Sequence, residues 1–191
     1  DEGAFVTVRH RMLGAGKSYT GLATDLRGDL SRVDVDTRYL AAGQDVRDFN
    51  YVVRHRGKKT RCNIDANGAL MGKSKKVLRG TIDLVRGCKG AEGTERETVL
   101  LVDERVENKT IPVILCDEDD VAGNHGATIG HVAADQLFYL KCRGLSQEAA
   151  EGLFATATLE ETALTIEDET VRAGVGRLAG RLGIPYQEVE G

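Results

Sequence analysis

The residue whose chemistry stands out is His125, which lies in the glycine-rich stretch 119–130 (DDVAGNHGATIG). Its neighbours Gly123, Gly126 and Ala127 are small, so we expect the imidazole to be accessible. A neutral imidazole binds transition metals and can also carry a proton near neutral pH. Strand-like sequence precedes the stretch and helix-like sequence follows it, which predicts an exposed connecting segment between the sheet and the first helix. Taken alone, a single histidine in this setting is better interpreted as a structural or surface residue.

Other candidate ligands have weaker spacing. His131 lies six residues after His125, but two histidines without a third ligand make a poor zinc site. The run 116–120 (CDEDD) has neither the alternating ligands nor the glycine of a calcium loop, so it predicts a solvated acidic corner. His10 and His55 each follow an alternating strand pattern and are predicted to be surface imidazoles. No catalytic residue is assigned, since no nucleophile and base stand in a recognisable arrangement.

Two fragments resemble parts of a nucleotide-binding ATPase. Residues 14–18 (GAGKS) are similar to the end of a P-loop, and residues 99–104 (VLLVDE) to its magnesium-binding strand. The P-loop needs a further glycine five positions before Gly16, where this chain has Arg11. It must also open a helix, whereas Gly21 and β-forming residues follow here. We therefore interpret the glycines as a turn.

The four cysteines are predicted to be free and mostly buried thiols. They stand at positions 62, 88, 116 and 142, and no two form a C-x-x-C pair. A zinc knuckle or redox motif is therefore excluded by spacing. A chain of 191 residues buries enough core not to need disulfides.

The chain before residue 117 reads as short strands. Residues 33, 35 and 37 alternate with Asp34, Asp36 and Arg38, which fits a sheet with one buried face. Glycines separate these runs, and almost no helix lies between them, so the pattern predicts a sandwich or a stacked solenoid. Periodicity alone does not separate the two, because no clean repeat is visible. The candidate strands are residues 4–8, 19–26, 32–40, 48–55, 60–64, 76–85, 98–102 and 110–116.

Three short helices are predicted after residue 132. The first covers residues 135–143 and ends at Gly144, and the second begins at Ser146 as its N-cap. The apolar face of the second helix is predicted to contain Ala150, Leu153, Phe154, Ala157 and Leu164. The third helix covers about 168–182 and is predicted to bury Val171, Val175, Leu178, Ala179 and Leu182.

Composition excludes several classes of protein. With 26 basic and 30 acidic residues the net charge is -4, which does not favour nucleic-acid binding. Apolar runs are too short to span a membrane. Residues 1–10 contain no secretory segment, so we predict a cytoplasmic protein.

Six segments around and before His125 form a recognisable set: DDV (119–121), HGATIG (125–130), DQLFYL (135–140), RGL (143–145), RGTIDLV (79–85) and ETVLLV (97–102). With these segments the sequence resembles the SufB/SufD family of iron-sulfur cluster assembly proteins. Gly126 follows the histidine where the SufB branch tends to carry glutamate, so the resemblance is to the SufD branch. The resemblance looks specific over about 79–152, and the chain is similar to roughly the C-terminal half of the family sequence.

The resemblance implies a right-handed parallel β-helix over residues 1–132 and a helical C-terminal domain over 133–191. It also implies a scaffold without catalysis of its own, which pairs with a SufB-like subunit and docks a SufC-like ATPase on its helices. A transient iron-sulfur cluster would form at the subunit interface, with His125 as this chain's candidate ligand or proton carrier. The resemblance implies no tightly bound cofactor and no other metal ligand.

Two departures from the family pattern leave an alternative open. The family cysteine two positions before the histidine is Gly123 here, and the serine after it is Asn124. The alternative is a divergent β-helix protein that associates with itself, as a homodimer, and has lost cluster assembly.

Overall fold

The computed structural model describes residues 1–14 and 16–182, together with residues 184 and 186. Within these residues nine strands precede three helices. No helix in this part of the chain is long and apolar enough to cross a membrane. The strands are β1 (Phe5–Met12), β2 (Lys17–Leu26), β3 (Arg32–Ala41), β4 (Val46–His55), β5 (Arg61–Leu70), β6 (Lys75–Leu84), β7 (Ala91–Leu101), β8 (Glu107–Cys116) and β9 (Val121–His131), and the helices are α1 (Ala134–Cys142), α2 (Gln147–Leu164) and α3 (Glu169–Leu182).

The strands form a parallel β-solenoid of about four turns. The odd-numbered strands make a five-stranded sheet in the order β1-β3-β5-β7-β9, and the even-numbered strands make a four-stranded sheet in the order β2-β4-β6-β8. Each strand pairs in parallel with the strand one coil later, so Gly93 of β7 lies beside Gly123 of β9. The predicted β-helix followed by helices is confirmed, and the sandwich is excluded.

Side chains that alternate along each strand fill the space between the two sheets. Val33, Val35 and Thr37 of β3 are buried as predicted. Aromatic rings occupy the centre, where Phe49 lies 5.5 Å from Tyr39 and 6.0 Å from Tyr51 between ring centroids. Such tilted pairs stabilise a core beyond the area that they bury.

One corner of the solenoid repeats a short motif that the sequence analysis did not detect. The turns RGDLS (27–31), RGKKT (56–60) and RGCKG (86–90) stack on one another. Each turn contains one residue with a positive φ angle near its end: Leu30 (62°) and Lys59 (53°) are the fourth residues of their turns, and Gly90 (75°) is the fifth. Each of these three residues donates its backbone N–H to a carbonyl of the next coil's turn, which locks the coils in register.

The helices pack on the side of the solenoid and share a core with it. Ala155, Leu159 and Ala163 of α2 lie against Leu40 of β3 and Ala69 of β5. Ion pairing and hydrogen bonding add to this contact at the α2–α3 junction, where Arg9 binds Glu167 at 3.0 Å and Arg11 donates to Thr165 at 2.9 Å. The boundary between a β-helix domain (1–132) and a helical domain (133–191) stays a prediction.

The three predicted helices are confirmed, but their buried faces differ in part from the prediction. The hydroxyl of Ser146 caps α2 by accepting from the N–H of Ala149 at 3.1 Å. Leu153 and Leu164 are exposed, because α2 approaches the sheet through small alanines instead. Val171 of α3 is also exposed, whereas Val175 and Ala179 are buried as predicted, and the side chain of Leu182 lies outside the described residues.

Candidate functional site

His125 lies within strand β9, so the predicted connecting segment between sheet and helix is wrong. It is the register partner of Glu95 on β7. Because register partners in a parallel sheet point to the same face, His125 faces the solenoid interior above the buried Glu95. Its side chain is 28% exposed, since β9 is the last strand of its sheet in the described part of the chain. The imidazole of His125 is therefore accessible, as predicted. It is accessible because it lies at the open end of the stack, and not because its neighbours are small.

The last coil, made by β8 and β9, forms the end face of the solenoid around His125. Four large apolar side chains of this coil are exposed: by register Ile114 and Ile129 lie on its inward side, as His125 does, whereas Ile111 and Leu115 lie on the outer side of β8. Soluble proteins seldom leave such groups clustered in water without a binding function. In the described residues no strand pairs with the outer edges of β8 and β9, so their backbone N–H and C=O groups are available as well.

Gly123 has no room for a larger side chain. A Cβ at this position would lie 2.9 Å from Cγ2 of Ile114, closer than real Cβ atoms approach. The position where the family pattern has a cysteine is thus faced by an isoleucine side chain from β8.

Glu95 is a carboxyl group buried directly below His125. Its Oε2 atom lies 3.9 Å from Nδ1 of His125, and its side chain is 2% exposed. Among the described residues its Oε1 atom has no hydrogen-bond partner. Burial, and then the nearby charge of Glu97, raise the pKa of Glu95 to about 7, while Lys76 acts in the opposite direction.

Lys76 of β6 and Glu97 of β7 form a fully buried ion pair beside Glu95. Thr110 of β8 completes the cluster, because its hydroxyl donates to Oε2 of Glu97 and lies 3.3 Å from the ammonium of Lys76. Burial lowers the pKa of Lys76, and the two glutamates oppose that shift. The interior below the end face is therefore polar and charged, in contrast to the aromatic core of the earlier coils.

A shallow groove of about 390 Å³ opens along β7 and β9 at this place. Both Glu95 and His125 line it, together with Asn124 and Thr128. His131 lies on the same strand six residues later, which is about 20 Å at the rise of a strand. His125 and His131 are therefore too far apart to share a metal ion, and no group of three or more candidate ligands occurs among the described residues.

Comparison with known proteins places the chain in a family. The family model "SUF system FeS cluster assembly, SufBD core domain" matches residues 1–158. The chain belongs to the SufBD family. It is SufD-like: the iron-sulfur cluster assembly protein SufD of Bacillus subtilis is 29% identical over 142 residues, and that of Escherichia coli is 26% identical over 174 residues.

These relatives are much longer than this SufBD chain. The match covers 74% of the chain and 32% of the Bacillus protein, and 90% of the chain and 41% of the Escherichia protein. A SufBD family protein of Mycobacterium bovis is 31% identical over 123 residues, which is 64% of the chain and 14% of that protein.

His10 and His55 of the SufBD chain are not the surface groups that the sequence predicted. His55 is completely buried, and its ring bonds to Thr60 Oγ1 at 2.7 Å and to Cys62 Sγ at 3.2 Å. Burial lowers the pKa of His55 to about 4. His10 is half-buried and pairs with the hydroxyl of Tyr51 at 2.8 Å. Burial and the adjacent Arg11 lower the pKa of His10.

The P-loop-like residues are part of the solenoid corner. Lys17 and Ser18 begin β2 rather than a helix. The carbonyls of Gly14 and Gly16 accept from the guanidinium of Arg47, and the N–H of Gly16 donates to Asp45 at 2.5 Å. These backbone groups are thus satisfied internally, and the predicted glycine turn, rather than a P-loop, is what the structure contains.

The acidic turn and the cysteines are partly as predicted. Glu118 accepts from the N–H of Gly87 at 2.8 Å, and the turn is solvent-exposed, which confirms the solvated corner. All four cysteines are free, but only Cys62 and Cys88 are buried. The thiols of Cys116 and Cys142 are exposed, since β8 ends on the open face and α1 has no buried residue.

Sequence reasoning missed Glu95, Glu97 and Lys76. The segment 91–97 was not predicted as a strand, because its glutamates and glycine have low strand propensity. An available signal was the alternation of Gly93, Glu95 and Glu97, which continues into the predicted strand at Val99.

Proposed function

We propose that this SufBD chain is a non-catalytic scaffold subunit of a SufBCD-type iron-sulfur cluster assembly complex in the cytoplasm. In this proposal the end face formed by β8 and β9 pairs with a SufB-like subunit, and a SufC-like ATPase docks on the helices. The nascent cluster is the cargo, and His125 is the ligand that this chain contributes at the subunit contact. The observation that carries the proposal is the position of His125, inward-facing yet accessible, on the apolar end face.

The surface around His125 supports a protein partner rather than a small substrate. Ile114 and Ile129 lie exposed on the inward side of the two last strands, the side that carries the histidine, and would be buried by a second subunit. The free strand edges can be covered in the same contact, which removes an aggregation hazard.

The ligand chemistry supports a shared site. One imidazole nitrogen is a suitable ligand for iron. An iron-sulfur cluster needs several ligands, however, and cysteine thiolates are the usual ones. Because Gly123 cannot supply a thiol, the proposal assigns the thiolates to the SufB-like partner.

Co-purification tests the pairing. The chain is co-expressed with tagged SufB-like and SufC-like homologues, and the recovered complex is quantified for the wild type, Ile129→Glu and Tyr19→Glu. Tyr19 is also exposed, but it lies on β2 at the opposite end of the stack, so it is the matched control. The proposal predicts recovery of both partners with the wild type and Tyr19→Glu, and loss of the SufB-like partner with Ile129→Glu. Failure of the wild type to recover either partner would contradict it.

A second candidate is a β-helix protein that associates with itself and does not assemble clusters. The side chain of Ile114 beside Gly123 favours it, because thiol chemistry is absent from that position. Anaerobic cluster reconstitution with the SufB-like partner separates the two. A clear loss of cluster yield in His125→Ala supports the scaffold, whereas an unchanged yield together with a homodimer in light scattering supports self-association.

A further inference from the structure

Glu95 is the polar group nearest to the inner edge of the His125 ring. The 3.9 Å between Oε2 and Nδ1 is about 1 Å longer than a hydrogen bond, so a small rotation of either side chain closes it. Since Nδ1 is the atom that faces Glu95, the opposite ring nitrogen, Nε2, is the one left for a ligand.

The fold makes specific room for this carboxyl group. Gly80 of β6 lies across the interior from Glu95, and a Cβ on Gly80 would collide with both carboxylate oxygens. The carboxyl group thus occupies the volume that a side chain at position 80 would need. The two positions are on opposite sheets, so this fit depends on both coils and is not a property of one turn.

Neighbouring polar groups leave Glu95 free to act on His125. Lys76, Glu97 and Thr110 bond to one another. In the described residues Oε1 of Glu95 has no hydrogen-bond partner, and Oε2 is the oxygen that faces His125. A buried carboxyl group that lacks hydrogen bonds is costly, so a hydrogen bond from His125 to Oε2 offsets part of that cost, while Oε1 stays without a partner.

We infer that Glu95 is a positioning residue for His125. Its carboxylate accepts a hydrogen bond from Nδ1–H, which favours the tautomer protonated at Nδ1 and leaves the lone pair of Nε2 available at the end face. Ligating histidines are commonly oriented by such a second hydrogen bond, which also increases their basicity as ligands. A carboxylate has only acceptor oxygens, so it can take a hydrogen bond from Nδ1–H but cannot donate one to Nδ1. The inference rests on the ligand role proposed above for His125.

The tautomer of His125 in the isolated full chain is the direct test. Two-dimensional NMR on ¹⁵N-histidine-labelled protein at about pH 8, where an ordinary imidazole is neutral, distinguishes Nδ1–H from Nε2–H. His125→Ala identifies the signals of the ring. In Glu95→Ala the ratio of Nδ1–H to Nε2–H should fall on the order of fivefold, the factor that corresponds to one ordinary hydrogen bond.

Three further variants separate positioning from packing. Glu95→Gln keeps an acceptor oxygen and should retain most of the wild-type ratio. Gly80→Ala leaves Glu95 in the chain but displaces its carboxyl group, so it should lower the ratio as Glu95→Ala does. Glu92→Gln, on the solvent face of the same strand, should leave the ratio unchanged.

Equal tautomer ratios in the wild type, Glu95→Ala and Gly80→Ala would overturn the inference. That result would not affect the scaffold proposal, which is measured by co-purification. Conversely, if the ratio falls in Glu95→Ala while the wild type recovers no SufB-like partner, the positioning role of Glu95 stands and the scaffold proposal fails.

Discussion

Nε2 of His55 lies 3.2 Å from Sγ of Cys62, inside the corner that connects β4 to β5. The same ring bonds to Thr60 through Nδ1, so both nitrogens are occupied in a site without solvent. This arrangement suits a neutral imidazole and penalises a charged one.

Acid should destabilise the protein through His55. The folded pKa of about 4 is below the ordinary value of 6.5, so the unfolded chain binds more protons between these values. The free energy of unfolding is therefore expected to fall by about 3 kcal/mol as the pH drops from 6.5 to 4. Urea unfolding of the wild type and of His55→Asn across this range measures the effect as the difference between the two. His131→Asn, at an exposed position, should show the wild-type pH dependence.

Glu95 should produce a pH dependence of opposite sign. Its folded pKa of about 7 is above the ordinary value of 4.5, so the folded state binds more protons between these values and stability falls as the pH rises. The groups that face it are Glu97 from its own strand, Lys76 from β6 and His125 from β9. The wild type should lose about 3 kcal/mol relative to Glu95→Gln between pH 4.5 and 7, and no more above pH 7. A difference between the two proteins that is constant with pH would contradict this.

The buried pair of Lys76 and Glu97 should be strongly coupled. Lys76→Met leaves the carboxylate of Glu97 buried without its cation and should cost about 3–5 kcal/mol. The double variant Lys76→Met, Glu97→Leu removes both charges and should be close to the wild type in stability. Urea unfolding of the two single variants and the double variant gives the coupling free energy. Additive losses would show that the pair does not act as a unit.

Substitution by alanine should have different effects on stability at two strand glycines, Gly68 and Gly21. A Cβ on Gly68 of β5 would lie 2.5 Å from the ring of Tyr39, so the ring must move within the packed core. A Cβ on Gly21 of β2 would have Asn50 as its nearest neighbour, at 4.0 Å. Gly68→Ala is expected to lower the free energy of unfolding by about 1–3 kcal/mol, and Gly21→Ala to leave it unchanged or raise it. Thermal or urea unfolding of the two variants checks the contrast.

Strand alternation in the sequence predicted most of the strands, but it left sandwich and solenoid open, and only the family resemblance indicated the β-helix. The pattern around Val33 and Val35, the cap at Ser146 and the stop at Gly144 each correspond to observed boundaries. β9 and the start of β7 were missed, because glycine, alanine and glutamate are poor strand formers on their own. In the structure these segments are strands because the preceding coil offers a full set of hydrogen-bond partners.

The site was predictable only in part. His125 stood out from its small neighbours and from the family pattern, but Glu95 is 30 positions earlier and becomes its neighbour only through the register of β7 and β9. The burial of His55 was missed for a different reason: Thr60 and Cys62 are only 5 and 7 residues later, but they contact the ring only because the chain turns a corner there. The corner motif RG-x-x, once recognised as a repeat, supplies the coil length that would have placed Glu95 beside His125.

The acidic turn of residues 117–120 sets which side chain of β9 enters the solenoid. Adding or deleting one residue there would shift β9 by one position against β7 and reverse the direction of every side chain in it. His125 would then point into solvent, and Asn124 or Gly126 would face Glu95. The length of this short connection, more than its charge, therefore determines whether the end of the stack carries an imidazole.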